Sequence, residues 1–163
     1  MHTVTNVKEF QAALDTLSDE QQRVLSAQFI AEVLDLTQNP QLKAIHAIAQ
    51  QEEASAADLL SAYHQAESIA VNLASLGVRE IIDFKKQAEH YVAKGIAACL
   101  FPIPTTVKHP YRAWNVAHYC REARMCSDLK HEDDTGILEK VEKDLHAAIL
   151  RQYALTSKFI AEH

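Results

Sequence analysis

The stretch ILEKVEKDLHAAILRQYALTSKFIA, Ile137 to Ala161, decides the fold class. Leu138, Val141, Leu145, Ile149, Leu155 and Phe159 recur near one face of a helix with 3.6 residues per turn. Glu139, Lys143 and Asp144 fall elsewhere, and neither Gly nor Pro interrupts the run. Working outward, the whole chain of 163 residues holds only three glycines and four prolines. A sheet protein needs frequent turns and therefore frequent Gly and Pro. This chain is instead rich in Ala, Leu, Gln, Glu and Lys, which lose little entropy in a helix. The reading is all-α, with residues 1–163 as one domain.

Helix starts are marked by capping residues. Asn6 with Glu9 has capping-box-like spacing, and Ser18 with Gln21 fits the motif itself. Asn39-Pro40 places a favoured N-cap before a proline at the first helical position, and His109-Pro110 repeats the proline part. Gly77 can end one helix and Thr135-Gly136 can open the last. Between these signals the spacing predicts a bundle of five to six helices, over about Val7–Leu17, Asp19–Thr37, Pro40–Leu76 with a break possible near Ser55, Val78–Leu100, Pro110–Lys130 and Ile137–Ala161. The second carries Val24, Phe29, Val33 and Leu36 with charge opposite, so every helix is expected to keep one wet face.

Ile30–Leu34 followed by Asn39-Pro40 resembles Ile96–Leu100 followed by His109-Pro110. This suggests two related helical hairpins packed together, though a repeat array normally needs three copies. The connection Phe101–His109, held extended by Pro102 and Pro104, either lines a binding site or, as such loops more often do, only bridges two helix ends.

Composition excludes several classes. No apolar run approaches the 18 or so residues of a membrane span. Met1 to Lys8 has neither the basic start nor the apolar run of a signal peptide. Cys99, Cys120 and Cys126 make an odd count without C-x-x-C spacing, so reduced, buried thiols in a cytoplasmic protein are expected. G-x-G-x-x-G, the P-loop and the G-x-S-x-G nucleophile turn are all missing. No catalytic residue is assigned and no cofactor is predicted.

Nine histidines raise a metal hypothesis. A helical metal site takes ligands one turn apart, because those side chains share a face. His64 with Glu67, His118 with Glu122, and Glu142 with His146 have that spacing, and His131 adds Asp128 and Asp134. Random placement of 22 acidic residues around nine histidines gives about five such pairs, which is the number present. A divalent metal held by His64, Glu67, His118, Glu122 and His146 is therefore the alternative reading, with a small ligand in the bundle centre as its variant.

Charge is distributed unevenly. Residues 1–67 carry three basic and ten acidic side chains, residues 68–131 nine and five, and residues 132–163 four and seven. The basic excess gathers at Lys108, Arg112, Arg121 and Arg124, with Tyr111 and Trp114 close in sequence. Such a patch either pairs internally with the acidic N-terminal part or docks a protein, since Arg, Trp and Tyr are enriched at hot spots. An acidic chain with so short a patch argues against nucleic acid. Trp114, His118 and Met125 form a helical stripe that is either core or the wall of a pocket. The expected function is thus a non-enzymatic, cytoplasmic protein–protein interaction module of the adaptor, regulator or immunity kind, with homo-oligomerisation left open.

Overall fold

A computed structural model describes residues 3–76, 83–103, 111–129 and 136–163. The elements are α1 (Val7–Asp15), α2 (Asp19–Ala31), a 3-10 turn (Leu34–Leu36), α3 (Pro40–Ala49), α4 (Ala56–Leu76), α5 (Phe84–Leu100), α6 (Arg112–Leu129) and α7 (Ile137–Glu162). Among the described residues there are seven α-helices and no strands, so the all-α class holds and the expected count of five to six is too low. No helix among them is long and apolar enough to cross a membrane.

The capping signals act as their chemistry dictates. Asn6 accepts from the backbone of Lys8 and Glu9, Ser18 and Gln21 form a reciprocal capping box, and Asn39 accepts from Gln41 and Leu42 ahead of Pro40. The seventh helix arises because the expected Pro40–Leu76 segment breaks. Arg23 reaches from α2 and donates to the carbonyls of Ala49 (2.6 Å) and Glu52 (3.2 Å), satisfying α3's end and fixing the turn after it. Ser55 Oγ then accepts from Asp58 N and opens α4. Gly77, Thr135 and the His109-Pro110 half of the repeated pattern lie outside the described residues.

The second departure concerns α2, which ends at Ala31 instead of running to Thr37 and has no broad wet face over its centre. Gln22, Arg23 and Ser26 are buried beside Leu25, Ala27, Phe29 and Ile30. Each polar group is partnered: Gln22 Nε2 donates to Leu14 O, its Oε1 accepts from Ala113 N, and Ser26 Oγ donates to Gln22 O. Along α7 the apolar stripe is buried at Val141 and Phe159 and half-buried at Leu145, Ile149 and Leu155, whereas Leu138, in the first turn, is 73 % exposed.

Helix α5 packs against α2, α3, α4 and α6. Alanines make this possible: Ala62, Ala66 and Ala70 of α4, Ala93 of α5, and Ala113, Ala117 and Ala123 of α6 are almost wholly buried. Small side chains let neighbouring helices approach closely, which leaves α4, α5 and α6 side by side with a furrow along α5.

Candidate functional site: a furrow along α5

The furrow encloses about 500 Å³, within the range of small-molecule sites. Tyr63, Glu67, Ala70, Val71 and Ala74 line it from α4, and His90, Lys94, Ala97, Ala98 and Phe101 from α5 and its end. Both sets follow the spacing i, i+4, i+7, i+8, i+11, one face of each helix over three turns. Ile103 and, from α6, Arg112, Asn115 and Tyr119 complete the lining. Alanines make the floor, aromatic rings the walls. Val71 and Phe101 expose apolar surface at 61 % and 45 %.

Its polar groups are individually positioned. Tyr63 donates its hydroxyl to Glu67 Oε1 at 2.9 Å, and its ring meets Phe101 edge-on at 5.6 Å. Burial, then the hydrogen bond to Glu67 and its charge, push the Tyr63 pKa up, so the phenol stays a donor at neutral pH. His90 Nδ1 lies 2.9 Å from Ala70 O. A carbonyl only accepts, so Nδ1 carries the proton and Nε2 remains available. Lys94 Nζ stands 5.8 Å from the centroid of Tyr119, a ring stacked on Tyr91. Among the described residues Lys94 makes no ion pair.

Most residues singled out in the sequence fall elsewhere; at the furrow lie Glu67, Phe101 and Ile103 of the proline-bearing connection, and Arg112, which is committed to structure. The Arg112 guanidinium is buried: it pairs with Asp19 at the start of α2 (3.0 and 3.2 Å) and donates to the carbonyls of Cys99 and Phe101 at the end of α5. Arg124 pairs with Asp35 (3.1 Å) and donates to Glu32 O (2.6 Å). Arg121 donates to Gln152 Oε1 (2.7 Å) and lies over the Phe10 ring at 5.9 Å. Lys108 lies outside the described residues. Arg112, Arg121 and Arg124 thus each meet acidic or carbonyl groups of the chain itself, which favours the internal-pairing reading of the patch.

The Trp114, His118 and Met125 stripe does not line the furrow. Trp114 packs on Phe10 at 5.9 Å and His118 at 4.8 Å, on another side of α6 from Asn115 and Tyr119. Nor do the metal candidates converge: His64 and Glu67 are on α4, His118 and Glu122 on α6, His146 on α7. Among the described residues no three His, Cys, Asp or Glu side chains come together to hold a metal ion. Cys99, Cys120 and Cys126 are free and buried, and burial pushes the Cys99 thiol up to about 12 and Cys126 to about 11.

Sequence reasoning missed Tyr63, His90, Lys94 and Tyr119. The matching three-turn spacing on α4 and α5 was a signal, but each stripe mixes charged, aromatic and small residues and so resembles neither a core face nor a motif. Comparison with known protein families, with curated proteins and with solved structures finds no match.

Proposed function

We propose that this chain is a non-catalytic binding protein whose site is the α4–α5–α6 furrow and whose ligand is a small organic molecule. The observation that carries the reading is the furrow itself: about 500 Å³ of apolar, aromatic-walled space fringed by a few polar groups. Among the described residues no metal ligands gather at the lining, and the Tyr63 hydroxyl beside Glu67 is held protonated, so binding is the activity its chemistry favours. Docking of a protein on Lys108, Arg112, Arg121 and Arg124 has less support, because Arg112 and Arg124 already serve Asp19 and Asp35. Three unpaired cysteines favour a reducing, cytoplasmic setting.

The test is calorimetric titration with a neutral apolar probe, 3-methylindole, against the wild type and against Ala98→Trp and Ala74→Trp. Both alanines line the furrow, and Ala74 is exposed, so an indole there fills space without entering the core. Saturable binding lost in both variants, with helical circular dichroism unchanged, is the expected outcome. Equal binding in wild type and variants defeats the proposal, as does a wild type that binds neither this probe nor its charged indole analogues.

A further inference from the structure

Glu67 and Lys94 carry opposite charges into the same furrow and yet do not pair. His90 on α5 bonds Ala70 on α4, and Phe101 after α5 meets Tyr63 on α4, so the two helices run antiparallel. That register sets Glu67 opposite Lys94. Two exposed, flexible side chains of opposite sign on facing walls can close on each other. Here each is held to its own wall: Glu67 by the Tyr63 hydroxyl, Lys94 over the Tyr119 ring. The furrow between them is left open, with an acceptor on one side and a donor on the other.

From this geometry, and resting on the reading of the furrow as a ligand site, we infer that the ligand is a zwitterion with an apolar body, of the α-amino-acid type. Its ammonium lies against Glu67, which uses one oxygen for Tyr63 and keeps the other. Its carboxylate lies against the Lys94 ammonium. The apolar body rests on the alanine floor between Phe101 and Tyr119. A purely anionic ligand would meet Glu67 and a purely cationic one Lys94, each with a like-charge penalty, so only a zwitterion uses both walls.

A ligand cycle decides the matter. Tryptophan, tryptamine (no carboxylate), indole-3-propionate (no ammonium) and 3-methylindole (neither) are titrated into the wild type, Glu67→Gln and Lys94→Gln. Tryptophan is expected to bind at least about fivefold more tightly than either singly charged analogue, as charge-assisted hydrogen bonds require. Its advantage over indole-3-propionate should vanish in Glu67→Gln, and its advantage over tryptamine in Lys94→Gln. If 3-methylindole binds but tryptophan gains nothing over either analogue, the zwitterion assignment fails while the furrow stands. If tryptophan's advantages persist in both variants, the charges act elsewhere and the assignment also fails. If no member of the series binds, the furrow reading itself is overturned.

Discussion

His46 is a histidine on α3 with almost no exposure, its Nε2 2.8 Å from Ala27 O on α2. The carbonyl requires the proton on Nε2, so the neutral ring is satisfied and a charged one would sit desolvated. Burial accordingly pulls its pKa below 6.5, the bond to Ala27 opposing in part. The folded pKa lies below the unfolded one. Stability is therefore full above about pH 6.5 and is lost as pH falls through the folded value, because the unfolded chain takes up the proton first. His46→Gln keeps a donor toward Ala27 and removes the titration. Urea denaturation at about pH 7 and about pH 5 should show a smaller acid loss in the variant than in the wild type, and equal losses would refute the assignment. At this scale the sequence says little: His46 has no acidic residue one turn away, and its role depends wholly on α2 packing across it.

The helices themselves were readable wherever local chemistry alone decides them. The caps at Asn6, Ser18 and Asn39 act within three residues of themselves, and they mark α1, α2 and α3 correctly. What was not readable depended on distant partners. Arg23 is charged and yet buried to hold the turn after α3, and Gln22 is buried to bind Leu14 and Ala113. Such polar groups are affordable inside only because another element supplies the matching atom. The furrow was hidden for the same reason: its walls need the α4–α5 register, which rests on alanines that look unremarkable in a helix-rich chain. Ala66, with no exposure, sits in that seam. Ala66→Leu should cost about 1–3 kcal/mol through overpacking, read as a lower urea midpoint at unchanged slope. A change within about 0.5 kcal/mol would mean that the seam is looser than described.

For the molecule as a whole, the uneven charge along the chain becomes a set of bridges. Asp19, Glu32 and Asp35 of the acidic N-terminal part meet Arg112, Arg151 and Arg124 from α6 and α7. Of these, Arg124–Asp35 is well placed for measurement, since Asp35 is well exposed and Arg124 partly so. Arg124→Glu should lower stability by about 1 kcal/mol or less, and Asp35→Arg in the same chain should restore part of it, giving a coupling of about 0.2–1 kcal/mol in a double-mutant cycle. Zero coupling would show the pair to be incidental.

Helix α5 has neighbours on every side but the one that faces the furrow. Its residues Val92, Ala93, Ile96 and Cys99 are buried, so their amides should be among the slowest of the molecule to exchange. The floor of the furrow is therefore as unyielding as the protein itself. A molecule one ring too large finds no floor that gives way, only the side chains of the two rims, and admission is governed by thickness before it is governed by charge.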